Sequence, residues 1–403
     1  IFIPSYHYYA PDTTVFNHVI LYIMLILSPI IFIDFTMLIR QIFSRRPSIR
    51  SMGTSFSLSA LFLMLVIFSA VFVPTWDYIP LIGRLFKDMI WLVFLIVGVV
   101  IIFPLLIVKR PSIVFTKSSR EDITIKLKKL SVLAIIAVGT IIGGIILEVP
   151  FIQPSTDVNT LRILTYNIQQ GASDGGSMNF EGQCALIRSL NPDIIGLQES
   201  DTTRIANGNK DFVRYVSNTL GYYSYYGPKT VTNTFGIALL SKYPICNART
   251  FYMQCIGEQA ATIWAQITVG TTMFNVFVTH LGNYENTSTG DRTQIVQQEN
   301  ILTVTAGKEN VLLMGDFNFE PNTEQYNITV DQLYDAWELV FAADPSKAIV
   351  DPVLPGEREI PSERIDHIFV SHHLNASLTS IHYTGGYESD HPALFATINM
   401  TSI

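Results

Sequence analysis

Four long apolar runs in the first 150 residues constrain this chain more than any other feature. They span approximately Val19–Ile39, Ser55–Val73, Met89–Val108 and Ser131–Leu147. Each approaches the roughly 20 residues that a helix needs to cross hydrocarbon. The third runs from Trp91 to Ile102 without a charge. A single run of this kind is compatible with a buried helix of a large globular protein, but four within about 130 residues argue for a membrane bundle. Residues 1–148 are therefore expected to be an α-helical transmembrane region. Asp34, inside the first run, either faces a polar partner within that bundle, the favoured reading, or marks a functional spot.

Charge divides the chain at the same place. Residues 1–150 carry 13 Lys+Arg and 7 Asp+Glu, whereas 151–403 carry 13 and 26, a balance of −13. The loop after the first run holds Arg40, Arg45, Arg46 and Arg50, and the loop after the third holds Lys109, Arg110, Lys117, Arg120, Lys126, Lys128 and Lys129. Basic loops stay on the cytoplasmic side, so everything beyond the fourth run is expected in the lumen or outside the cell, in the secretory pathway or at the plasma membrane. Asn286, Asn327, Asn375 and Asn399 open glycosylation sequons, which fits that side. Residues 149–159, with Pro150 and Pro154, read as a linker. The chain opens Ile1-Phe2-Ile3-Pro4, without Met or a cleavable signal peptide, and is read as a fragment or a processed form. Cys184, Cys246 and Cys255 cannot form a closed disulfide framework; a Cys246–Cys255 pair is open to them, and buried free thiols are expected.

From residue 160 onward, short apolar runs alternate with polar, helix-like stretches. The runs are Leu161–Leu164, Ile194–Leu197, Ile237–Leu240, Ala261–Val269, Phe274–Val278, Val311–Met314, Ile368–Val370 and Leu394–Ile398. Helices are expected over Asn179–Leu190, Asp211–Leu220, Asp291–Thr305 and Asp331–Phe341. In the first, Phe180, Cys184, Ile187 and Leu190 share one face. Strands and helices interspersed in this way build α/β or α+β layers. Several strand pairs leave no room for a helix between them, which predicts mixed sheets.

The informative polar residues stand next to these runs. Asn167 follows Ile163–Tyr166, Glu199 follows Ile194–Gln198, and His280 follows Val276–Thr279. Asp316 and Asn318 follow Val311–Met314, in Gly315-Asp316-Phe317-Asn318, where Gly315 would let the backbone approach a ligand. Asp366 precedes His367–Val370, and Asp390 and His391 precede Ala393–Ala396. Strands that end at one rim, interleaved with strands that start there, bring all these groups to one edge of a sheet. Singly, each has an ordinary alternative as a turn residue, a solvated strand end or, for Asp366 beside Arg364, a surface ion pair. Together they point to metal-assisted chemistry on phosphate oxygens.

The blocks Thr165-Tyr166-Asn167, Leu197-Gln198-Glu199, Gly236–Lys242, Thr279-His280-Leu281, Gly315–Asn318, Arg364–His367 and Ser389–Pro392, in this order, resemble the endonuclease/exonuclease/phosphatase superfamily. The resemblance implies an α/β four-layer sandwich of two mixed β-sheets flanked by helices over 160–403, and Mg²⁺-dependent phosphoester hydrolysis, with Mn²⁺ as a substitute. Tyr166–Gly171, Gln198–Thr202, Tyr225–Thr230 and Gly257–Ala261 further resemble the C-terminal domain of the calcofluor-white-hypersensitive family, whose multispanning members are linked to lipid remodelling of GPI anchors. On this resemblance Glu199 and Asn167 hold the metal ion and Asp390 completes its surroundings. Asp316 orients or deprotonates the attacking water, and Asn318 donates to the phosphoryl group. Asp366 orients His391, which stabilises the transition state, while His280 serves the leaving-group side.

Three functions follow from this. The first is a membrane-anchored phosphoester hydrolase acting on a lipid or GPI-type glycolipid. The second is a non-catalytic membrane scaffold that recognises such lipids. The third is a nuclease, against which the −13 balance stands, because duplex binding depends on Lys and Arg meeting phosphates. Lys229, Lys242 and Arg292 are the candidates for a local basic patch.

Overall fold

A computed structural model describes residues 159–402 apart from 201–209, 228–235, 256–258, 284–287 and 356–361, together with 47–72, 90–107 and parts of 23–39 and 128–142. The chain divides into two compact units. One contains the helix α1 (Leu27–Met37) and nearly all of α2 (Ile49–Phe72) and α3 (Ile90–Ile107). Ser48 Oγ accepts from the backbone N–H of Ser51 and so caps the start of α2. Among the described residues one helix, Ile49–Ser69, is long and apolar enough to cross a membrane. It starts before the expected run at Ser55, because Ser48 rather than the first apolar residue sets its beginning. Asp34 is exposed on α1. Most of the Ser131–Leu147 run, most of the basic loops and nearly all of the 149–159 linker lie outside the described residues.

Among the described residues the other unit carries thirteen strands: β1 (Thr160–Asn167), β2 (Ile194–Gln198), β3 (Tyr223–Tyr226), β4 (Ile237–Ser241), β5 (Ile245–Gln254), β6 (Gln259–Val269), β7 (Thr272–His280), β8 (Val311–Asp316), β9 (Tyr334–Asp335), β10 (Ala348–Val350), β11 (Asp366–Val370), β12 (Leu378–Tyr383) and β13 (Leu394–Asn399). Its helices are α4 (Phe180–Leu190), α5 (Phe212–Leu220), α6 (Ser288–Thr305), α7 (Glu324–Val330) and α8 (Ala336–Ala343). Asn179 and Asp211 are N-caps, each accepting from a backbone N–H three residues on, so α4 and α5 begin one residue after the expected positions. The helix expected over Asp331–Phe341 is a correction. Asp331 closes α7, Tyr334–Asp335 forms β9, and α8 starts at Ala336 because the Asp335 carboxylate accepts from Trp337 N.

The strands form two mixed sheets, in the orders β10-β12-β13-β1-β2-β4-β3 and β5-β6-β7-β8-β11-β9. Alternation along each strand sorts the apolar side chains into three cores. Leu161 and Ile163 of β1, Val276 and Val278 of β7, Leu312 and Met314 of β8, and Ile368 and Val370 of β11 pack together between the sheets. Leu164 and Tyr166 face Cys184 and Ile187 of α4 and Val213 and Val216 of α5. Phe277, Leu313 and Phe369 face Ile301 and Leu302 of α6 and Tyr326 of α7. The result is helix, sheet, sheet, helix: the four-layer sandwich.

Two glycines mark close approach. A Cβ on Gly196 would meet Met314 Cγ at 2.9 Å and Val278 Cγ1 at 3.0 Å, so the sheets approach closely there. A Cβ on Gly315 would stand 2.1 Å from the Thr279 carbonyl oxygen on the neighbouring strand. Gly315 is thus required by strand packing. Backbone cannot yield as a side-chain tip can, so Gly315→Ala is expected to destabilise the domain by about 3 kcal/mol, measurable by denaturant unfolding. Cys184 and Cys255 are buried free thiols; Cys246 is free but exposed, because it lies on the edge strand β5.

Candidate active site between the two sheets

Strand parity explains how the site forms. In β8 and β11 the even-numbered residues fill the core between the sheets, and so do those of β7. Asp316, Asp366 and His280 continue those inner faces. In β1 the odd-numbered residues point inward, and Asn167 continues them. Hydrogen-bond register then brings the strand ends level: His280 pairs with Asp316 across β7 and β8, and Asp366 with Asp316 across β8 and β11. Four polar residues thus enter the inter-sheet space at one edge. Glu199 would follow Leu197 to the outer face, but its φ of 48° lies in the left-handed region, which breaks the alternation. Its carboxylate stands 3.5 Å from Asn167 Nδ2.

Asp316 is the hub. Its Oδ2 accepts from Asn167 Nδ2 at 2.9 Å and lies 3.6 Å from His280 Nε2 and 3.7 Å from His391 Nε2. Its Oδ1 accepts from the backbone N–H of Asn318 at 3.0 Å. His391 Nδ1 sits 2.8 Å from Asp366 Oδ2, so the carboxylate fixes that imidazole and directs Nε2 toward Asp316. The Tyr383 hydroxyl donates to the Asp366 carbonyl at 2.6 Å and steadies the strand. Ser389 Oγ donates to the Asn167 carbonyl at 2.8 Å and contacts Asp390 Oδ1 at 3.3 Å, joining the last loop to the first. Asn318, at φ 51°, gives one amide hydrogen to the Leu281 carbonyl, which leaves the second for other use.

The structure therefore brings together all eight residues picked out by the sequence: Asn167, Glu199, His280, Asp316, Asn318, Asp366, Asp390 and His391. It also shows what Arg364 does. The guanidinium does not pair with Asp366 but is buried against Asp335 at 2.9 Å and Glu338 at 2.6 Å. Ser389 stood in the Ser389–Pro392 block without a role, and the buried glutamines Gln183 and Gln294 escaped the sequence, since a lone Gln on a helix carries no spacing signal.

Several features suit a divalent cation. Asp316, Asp366 and His391 each offer a ligand atom, all within 4.8 Å of one another. Burial pushes the Glu199 carboxyl pKa up; His280 and His391 oppose this, and the charges of Asp316 and Asp390 add to it. Carboxylates desolvated and crowded in this way are stabilised by a bound dication, and oxygen donors suit a hard ion.

Residues 159–335 match the family model described as the PGAP2IP C-terminal nuclease-like domain. That family model is of the endonuclease/exonuclease/phosphatase kind. Over 101 residues, a quarter of its length, this chain is 39% identical to protein cwh43 of Schizosaccharomyces pombe; the match spans 10% of that protein. Solved endonuclease/exonuclease/phosphatase structures are similar to it as well. That from Beutenbergia cavernae has 18% identity and a TM-score of 0.49, with 60% of this chain and 72% of that one covered. The mannosyl-6-phosphatase of Bacteroides thetaiotaomicron has 17% identity and a TM-score of 0.45, with 59% and 98% covered. In this arrangement of the site the paired imidazoles and the central aspartate can orient a water, hold its proton, and donate to oxygens on a tetrahedral centre.

Proposed function

We propose that the chain is a membrane-anchored, divalent-metal-dependent phosphoester hydrolase acting on a lipid-linked substrate of the GPI type. The observation that carries this is the Asp316 carboxylate set between Asn167 and two imidazoles, one of them held by Asp366. Glu199 and Asn167 would hold Mg²⁺, with Asp390 beside them; the ion when bound neutralises charge that develops on the phosphoryl oxygens. Asp366 serves His391 through a 2.8 Å hydrogen bond, which favours the Glu199 side over the Asp316–Asp366–His391 group as the resident metal site. Asp316 orients the attacking water and takes up its proton. Asn318, with its remaining amide hydrogen, and His391 donate to the phosphoryl oxygens, and His280 donates to the leaving oxygen.

The lipid part of the proposal rests on the matches to the PGAP2IP domain and to cwh43, and on the apolar helix Ile49–Ser69. Tethering to the bilayer keeps a headgroup substrate at high local concentration. The −13 balance of 151–403 opposes nucleic acid as substrate. Lys242, one of the candidates for a basic patch, is engaged with Asp193 at 3.0 Å, and Arg292 stands exposed on α6. We place the domain on the lumenal or extracellular side, and the sequon residues Asn327 and Asn375 are exposed there.

The test uses the full chain in detergent micelles, with Mg²⁺ or with EDTA, against a GPI-type glycolipid, sphingomyelin, a phosphoinositide and plasmid DNA. Cleavage of one lipid, abolished by EDTA and by His391→Ala, is expected. Cleavage of DNA alone would replace the substrate. A folded chain that binds lipid but cleaves nothing would make it a scaffold.

A further inference from the structure

The two sheets are built around equivalent units. β1–α4–β2 and β7–α6–β8 each consist of two parallel strands joined by a helix. The first delivers Asn167 and Glu199 from its strand ends, the second His280, Asp316 and Asn318. Each connecting helix also carries a buried glutamine that reaches the loops beyond those strands.

Gln183 of α4 is fully buried. Its Nε2 stands 2.9 Å from the carbonyl oxygens of Ile168 and Ala172 and 2.8 Å from that of Glu388. It therefore joins the loop that leaves Asn167 to the loop that leads into Asp390 and His391. Gln294 of α6 is 3% exposed. Its Nε2 donates to the carbonyl oxygens of Gly282 at 2.7 Å and Asn318 at 2.9 Å, which joins the loop after His280 to the loop after Asp316. Its Oε1 accepts from Gln325 Nε2 of α7 at 2.9 Å, and Gln297 Oε1 accepts from Gly282 N at 3.3 Å.

Backbone bonds hold these loops only in part. Gly171 N donates to Ile168 O at 2.8 Å and Ala172 N to Gln169 O at 2.9 Å within one turn. But φ of 45°, 54° and 81° at Gln169, Gln170 and Gly171, and of 51° at Asn318, keep the segments out of a regular ladder, and the Glu388 and Asn318 carbonyls take their bonds from side-chain amides. A primary amide supplies two hydrogens from one nitrogen without bringing charge into the interior; a lysine would supply three and a charge. We propose that Gln183 and Gln294 are positioning residues, each setting the spacing between two site loops. The kinetic part of this rests on the phosphoesterase function proposed above; the part concerning loop order does not.

The substitutions Gln183→Glu and Gln294→Glu keep shape and volume, but set carboxylate oxygens against carbonyl oxygens. Gln183→Met and Gln294→Met remove the donors without adding charge. All four are made in the full chain in detergent and followed by amide hydrogen exchange, by thermal unfolding, and by kcat and KM. Both Gln294 variants are expected to speed exchange about tenfold at Gly282 and Asn318 while the 168–172 and 386–391 loops stay at the wild-type rate. The Gln183 variants should show the reverse. Each should lower kcat about 10- to 100-fold with KM changed less than about threefold, the range seen when a supporting hydrogen bond is lost. Exchange that rises equally everywhere, or loosened loops with unchanged kcat, would overturn the proposal. If the wild-type chain hydrolyses nothing, the crossed exchange pattern still decides whether the glutamines order the loops, and the failure then belongs to the phosphoesterase function.

Discussion

Asp316→Ala is expected to lower kcat for phosphoester cleavage by roughly 10³-fold or more, with little change in the unfolding midpoint. The size follows from position. A single carboxylate oxygen meets Asn167 and lies within 3.7 Å of both site imidazoles, so its removal disorganises water, donor and acid together. Groups that act as a unit lose most of their effect when one member goes. Stability should change little because two effects oppose. Hydrogen bonds from Asn167 and Asn318 are lost, but the charge of Asp316 also helps raise the Glu199 carboxyl pKa, and that repulsion is relieved. Steady-state kinetics beside a thermal melt checks both halves; activity that falls only in step with unfolding would make Asp316 a structural residue.

Arg364→Ala is expected to destabilise the folded domain by about 3–5 kcal/mol. Arg364 and Asp335 are both buried, 2.9 Å apart, and Asp335 also accepts from the Tyr326 hydroxyl and from Trp337 N. Burial alone would raise the Asp335 carboxyl pKa, but His367 and Arg364 outweigh it and hold the group well below the usual carboxylate range. Depressed in this way, the carboxylate contributes stability that is present above its unfolded pKa and is lost as pH falls through the folded one. The wild type should therefore keep this contribution into strong acid. In Arg364→Ala the folded pKa rises, and the loss begins in milder acid. Urea unfolding across a pH series separates the two, and a variant as stable as wild type at neutral pH would remove Arg364 from the structural account.

The fold was legible where burial is continuous. Runs such as Val311–Met314 lie against a core on both faces, so they are apolar throughout and announce themselves. β5 and β12 were not announced, because an edge strand and a half-exposed strand interleave polar residues such as Asn247, Arg249 and His382 with the apolar ones. The region around Asp331–Phe341 misled because a helical apolar spacing continues across β9, while the break is made by the Asp335 cap. The site residues were legible because polar groups at strand ends sit beside the most recognisable runs. Glu199 reaches the site only through a positive φ, a backbone fact that no spacing records. Gln183 and Gln294 were invisible for a related reason: their partners are backbone carbonyls, which every residue has.

The pairing of β1 with β13, Thr160 opposite Asn399, carries a temporal consequence. During synthesis, one side of the first strand has no partner until the thirteenth has left the ribosome. Ser389 must likewise travel 222 residues along the chain to reach Asn167. A nascent domain therefore cannot bring Asp390 and His391 to Asn167 until β13 is close behind them, and completion of the sheet and closure of the candidate site become one event.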